Sequence, residues 1–128
     1  MPADRQRDAA LMLRIAQRDL KAARAMLDGD AFEEPTWGNQ IQQATEKALK
    51  AWISALDHDY PRTHDLSLLC RLVRDFGGDP GRYQTLENFT PFGARLRYED
   101  DQEPLNLDRA VWNQLCVDLL NHVGSLLP

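Results

Sequence analysis

Apolar residues recur along this chain at the alternating three- and four-residue steps that line one side of a helix. Leu13, Ala16, Leu20, Ala23 and Leu27 keep that rhythm, predicting a first helix from about Asp4 to Asp28 that Gly29 stops. Arg14, Arg18, Lys21 and Arg24 fall mostly off the stripe and read as a solvated face. The stretch Gly29 to Pro35 has loop composition, and a second helix is expected from about Thr36 to Asp57 with Thr36 as cap. Its apolar residues occupy two neighbouring sides, Ile41, Ala44, Ala48, Trp52, Ala55 and Thr45, Leu49, Ile53, Leu56, a face too wide for one partner and expected of a central helix.

Tyr60-Pro61 breaks the pattern, because proline disfavours helical geometry in the residue before it. A third helix begins near Thr63, turns Leu66, Leu69, Cys70, Val73 and Phe76 inward, and ends at Gly77-Gly78. Between Asp79 and Pro104 the pattern allows only short helical pieces, around Tyr83–Asn88 and Phe92–Arg97. A last helix, from about Asn106 to Leu126 with Asn106 as cap, places Leu107, Val111, Leu115, Leu119 and Val123 on one face. The expectation is an all-α, up-and-down four- or five-helix bundle filling residues 1–128 as a single domain.

Composition sharpens this picture at four points. With 43% apolar and 27% charged residues and no run near the ~18 apolar residues of a membrane span, a water-soluble protein with no membrane association is expected. Met1 to Asp8 is polar where a signal peptide would be apolar, so a cytoplasmic location follows. Cys70 and Cys116 each lie inside an apolar helical pattern, as buried free thiols do. A net charge of −5 speaks against a general nucleic-acid binder, leaving at most a local basic cleft against an acidic background.

Three stretches, in order, resemble the HEPN domain, a family of small helical bundles. Gln43-Ala44-Thr45-Glu46-Lys47-Ala48-Leu49-Lys50 is similar to its Q-x-x-E-K-A-L-K signature, and Thr63-His64-Asp65-Leu66 with Leu69 to its T-H-D-L-x-x-L element. Phe89-Thr90-Pro91 leading to Ala94-Arg95-Leu96-Arg97-Tyr98 is similar to a short apolar stretch ending in Arg-Tyr-Pro, with Glu99 here in place of the proline. The resemblance implies the bundle type of a nucleotidyltransferase substrate-binding subunit, a homodimer, and a minimal nucleotidyltransferase as partner.

Within those motifs six residues are candidates for a nucleotide or phosphate site: Glu46, Lys50, His64, Asp65, Arg97 and Tyr98. Gln42, Glu46 and Lys50 are four apart and share one stripe; they form either a surface ion pair worth a few tenths of a kcal/mol or a phosphate contact by Lys50 that Glu46 orients. Thr63 as cap with Asp65 in the first turn explains part of the second motif. His64 either fixes the helix junction or contacts an anion, and a neutral imidazole there can take a proton. Arg97 offers a guanidinium fork beside the Tyr98 ring, unless Arg97 neutralises Glu99 and Asp100 while Tyr98 packs inside. Asp57, His58, Asp59 and His64 match no established metal-ligand spacing, and neither metal nor cofactor is expected.

Many members of the family are implied to be dimeric ribonuclease toxins that use an arginine and a histidine separated by four to six residues, the arginine five to seven positions before the histidine. None of His58, His64 and His122 has an arginine at that spacing; Arg62 is two before His64, and Arg109 thirteen before His122. The catalytic residues are therefore unassigned, and the leading expectation is a non-catalytic nucleotide- or RNA-binding homodimer in a toxin-antitoxin-like module. A metal-independent ribonuclease toxin using His64 with Arg62 or Arg97, and a helical adaptor without ligand, are the alternatives. Trp37, Trp52 and Trp112, more tryptophan than a small core needs, add modest support for a dimer.

Overall fold

A computed structural model of the chain describes residues 2–93 and 103–128. The described residues form α1 (Pro2–Ala25), α2 (Glu34–Ala55), α3 (Leu66–Asp75), a 3₁₀ stretch (Gly81–Gly93) and α4 (Arg109–Ser125), with no strand among them. The all-helical bundle expected from the sequence is the fold observed, but the helices do not strictly alternate up and down: α1 runs against α2, whereas α3 and α4 run in its direction. No described helix is long and apolar enough to cross a membrane.

On α1 the buried residues are Ala9, Leu13, Ala16, Leu20 and Ala23, while Arg14, Arg18, Lys21 and Arg24 are exposed. The helix stops at Ala25, short of the expected Asp28, so Leu27 leaves the stripe and is 54% exposed. α2 starts at Glu34 instead of Thr36: its cap is Glu33, with no side-chain cap bond, and Pro35 occupies the first turn, where its missing N–H has no helical acceptor to satisfy. Glu34 holds the chain before α4 instead, its carboxylate accepting from the amides of Leu105 at 2.7 Å and Leu107 at 3.0 Å.

The wide face of α2 is covered on all sides, as expected of the central helix. Antiparallel α1 lies against it, with Ser54 Oγ donating to the Arg5 carbonyl at 2.6 Å. α4 runs alongside, Trp37 Nε1 donating to Asn113 Oδ1 at 2.8 Å near one end and the Trp52 and His122 rings 4.8 Å apart near the other. Trp37 and Trp52 are fully buried in the chain's own core, so those two rings supply no outward face for a dimer. Cys70 and Cys116 are free and buried, and burial pushes the thiols up to about 11 and about 12.

α3 begins three residues after the expected Thr63. Asp65 is its cap, accepting from the amides of Ser67 at 3.0 Å and Leu68 at 3.3 Å; Thr63 Oγ1 accepts one step earlier, from the amide of Asp65. Where one or two short pieces are expected, residues 81–93 form one continuous 3₁₀ run, and Tyr83, Leu86, Phe89 and Phe92 are its buried residues; the part of the expected Phe92–Arg97 piece after Gly93 lies outside the described residues. Their strict three-residue spacing matches the three residues per turn of that helix, so one apolar edge faces the core throughout. Phe89 meets Trp37 edge-on at 5.5 Å and Trp112 at 5.1 Å.

α4 departs most from the sequence reading. Asp108, not Asn106, caps it, accepting from the Val111 amide; Asn106 takes a left-handed backbone (φ 56°), which asparagine tolerates. Its buried residues are Asn113, Cys116, Leu119, Leu120 and Val123, whereas Val111 is 61% exposed. Leu107, Val111, Leu115, Leu119 and Val123 are separated by steps of four only, and each such step overshoots a 3.6-residue turn by roughly 40°. Over four steps the stripe rotates almost to the opposite side.

Candidate functional site

The site is made where the chain doubles back after α2. Asp57, in left-handed backbone (φ 66°), turns the chain at the helix end. The following segment returns along α2, bringing the Tyr60 ring 5.8 Å from Lys50 Nζ and His64 over Glu46. α3 then sets out in the same direction as α2. The N-terminus of α3 is tied to the 3₁₀ stretch by Thr90 Oγ1, which accepts from the Leu66 amide at 3.1 Å and donates to the Glu87 carbonyl at 2.9 Å.

Beneath this return lies the Glu46 carboxylate, only 1% exposed. Oε1 lies 2.7 Å from His64 Nδ1 and accepts from Gln42 Nε2 at 3.0 Å, while Oε2 accepts from Lys50 Nζ at 3.0 Å and lies 3.6 Å from Lys47 Nζ. Burial alone would raise this carboxyl. The hydrogen bonds from His64, Gln42 and Lys50, with Lys47 nearby, outweigh it and hold Glu46 below the ordinary carboxylate value. An ionised carboxylate only accepts, so the proton in the contact with His64 belongs to Nδ1. The His64 side chain is 78% exposed, which makes Nε2 the ring nitrogen available to a ligand.

Gln42 works twice, donating to the His64 carbonyl at 3.4 Å as well as to Glu46, and its Oε1 accepts from Gln43 Nε2 at 2.8 Å, while Lys47 Nζ donates to Gln43 Oε1 at 2.5 Å. The alternating polar stripe of α2 is thus a buried clamp on the His64 loop, and the surface ion pair worth a few tenths of a kcal/mol is not what forms. Lys50, 8% exposed and bonded to Glu46, acts on that carboxylate and has little surface to offer an outside phosphate. Asp65 is engaged as the α3 cap. Arg97 and Tyr98 lie outside the described residues. The last described residue before them, Gly93, sits against Gln42, where an added Cβ would come within 3.1 Å of the side chain.

Glu46, Lys50 and His64, candidates from the sequence, are brought together by the fold; Asp8 and Asp19 carry no signal in the sequence, Tyr60 stands there only as a helix break and Thr90 only as part of the third motif. Burial, with Asp8 beside it, pushes the Tyr60 phenol up to about 12, and burial raises the Asp19 carboxyl against the opposing charges of Lys47 and Arg18. Spacing carries no signal for these four, because they reach the site from α1, from the return loop and from the 3₁₀ stretch. Among the described residues no group of three or more His, Cys, Asp or Glu side chains is placed to hold a metal ion.

The two motifs that meet at Glu46 lie inside a wider match: the family model for the HEPN domain matches residues 9–124 of 128. The chain belongs to the HEPN domain family. No curated protein and no solved structure matches it. In this HEPN domain the Q-x-x-E-K-A-L-K and T-H-D-L elements are two halves of one hydrogen-bonded unit, closed by Glu46 and His64.

Proposed function

We propose that this HEPN protein is a non-catalytic subunit that binds a nucleotide or RNA phosphate at the exposed edge of His64, and acts as a homodimer with a minimal nucleotidyltransferase. The carrying observation is the His64 ring, fixed through Nδ1 by a buried carboxylate and open to solvent elsewhere. Glu46 and Lys50 are positioning residues in this reading: they set the ring's angle and do not touch ligand, and the phosphate oxygen is met by the imidazolium form, in which Nδ1–H donates to Glu46 and Nε2–H to the ligand. Asp65 contributes by fixing the start of α3 directly after His64, and Arg97 with Tyr98 supply a second phosphate contact and a stacking ring. The homodimer and the nucleotidyltransferase partner rest on family membership.

One observation favours a second reading. A carboxylate-oriented imidazole is also the arrangement of a general base, and a ribonuclease would use His64 to take the proton from a ribose hydroxyl, with Arg62 or Arg97 at the phosphate. The absent arginine-histidine spacing weighs against it.

Melting curves with ATP and with a single-stranded RNA, run on the wild type and His64→Ala, separate the possibilities. At a hundredfold excess over Kd, binding contributes about 2.7 kcal/mol, an upward shift of several degrees for a chain of this size. The expected result is a shift in the wild type, lost in His64→Ala, with the RNA intact. RNA cleavage abolished by His64→Ala would replace the proposal with the ribonuclease, and no shift with any ligand would leave a helical adaptor. A monomer by light scattering would remove the homodimer.

A further inference from the structure

Along α1 and α4 lies a surface that the His64 site does not use. Between α1 and α4 runs a groove of about 650 Å³, whose floor includes Leu20, Val117 and Leu120. A second hollow of about 550 Å³ continues it along α1 past Leu11 and Ile15, with Gln17 and Lys21 common to both. Leu11 is 47% and Leu27 54% exposed, and both line this surface. Beside them stand Arg14, Arg18, Lys21 and Arg24, and no Asp or Glu lines either hollow. None of the four cations makes an ion pair among the described residues. In a chain of net charge −5 this is a concentrated positive field over an apolar floor.

From these observations we infer that the α1–α4 groove is a docking site for an acidic amphipathic helix of a partner protein. Its leucines or phenylalanines would fill the floor, and carboxylates on its flank would face the four cations. Those cations run from residue 14 to residue 24, roughly 15 Å along α1, so the matching acidic edge spans about three helical turns. Nucleic acid fits less well. Its bases need aromatic faces to stack on, and neither hollow is lined by an aromatic residue. The inference is independent of the function proposed for His64, since none of that site's residues lines the groove.

Fluorescence anisotropy on the full chain tests it. The probes are a stapled helical peptide of roughly 18 residues with leucines on one face and glutamates beside them, the same peptide with lysines for glutamates, and an oligouridine RNA. The glutamate peptide is expected to bind, more weakly in added salt, and roughly tenfold more weakly to Lys21→Glu/Arg24→Glu. Leu27→Asp should weaken it as well, while His64→Ala binds as the wild type does. All these positions are exposed, and circular dichroism of each variant verifies its fold. Equal binding of both peptides, no binding of the glutamate peptide, or preference for the RNA would overturn the inference. So would a dimer by light scattering that Leu27→Asp dissociates, because the groove would then be filled by a second copy.

Discussion

Glu46 has exchanged nearly all of its water for four protein groups, and its worth to the fold depends on every one of them staying in place. Removing one partner of a buried charged pair costs far more than the pair contributes net, since the other charge is left without solvent or counter-ion. Glu46→Ala strands Lys50, itself 8% exposed, and should cost on the order of 3 kcal/mol in urea denaturation. Glu46→Gln keeps the shape and one acceptor oxygen, so it should cost distinctly less. Exposed glutamates paired at the same helical spacing are worth only about 0.3–0.5 kcal/mol, and a loss that small in Glu46→Ala would mean the clamp is solvated. The stripe of Gln42, Glu46 and Lys50 was visible in the sequence, but its burial was not. A four-residue polar rhythm looks the same whether it faces water or a returning loop, and what covers it here comes from residues 56–65.

Helix ends decide where His64 stands, and the end that matters is the start of α3. Asp65 accepts from two of the amides that a helix N-terminus leaves unpaired. Asp65→Ala should therefore destabilise the fold by about 1 kcal/mol, whereas Asp65→Asn, with an oxygen in the same place, should lose little. The pair of variants also separates capping from ligand contact. If Asp65→Asn folds as the wild type but loses nucleotide-dependent stabilisation, Asp65 reaches the ligand as well. Elements whose burial follows ordinary helical steps, α1 and α3, were legible from the apolar rhythm alone, apart from their ends. The other two hide their pattern in different ways: the 3₁₀ stretch repeats every three residues at Tyr83, Leu86, Phe89 and Phe92, while the buried stripe of α4 keeps ordinary helical steps but starts at Asn113, a polar residue that no hydrophobic pattern would select. Asn113 is inside because it accepts from Trp37, a partnership 76 residues apart in sequence.

Across the whole molecule, the buried ionisable groups set a window of pH in which the bundle is held together, and the sign differs at its two edges. Glu46 is depressed on folding, so its contribution is present above the ordinary carboxylate range and is lost as pH falls through the lower folded value. At the alkaline edge the shifts are upward: Cys70 from 9.0 to about 11, Cys116 from 9.0 to about 12 and Tyr60 from 10.0 to about 12. A group raised on folding stabilises fully below its unfolded value, so stability should decline from about pH 9, where the unfolded thiols begin to ionise, through about pH 12. Urea midpoints measured in steps across that range should fall continuously. Cys116→Ala should flatten the curve from its beginning, and Tyr60→Phe only in the part above 10, the ordinary phenol value. Tyr60 is half-buried, so after solvent screening its share is on the order of 1 kcal/mol. Following phenolate absorbance alongside separates the phenol from the thiols. A midpoint that stays level while the buried groups ionise would show that they titrate without global unfolding, through local openings of the bundle.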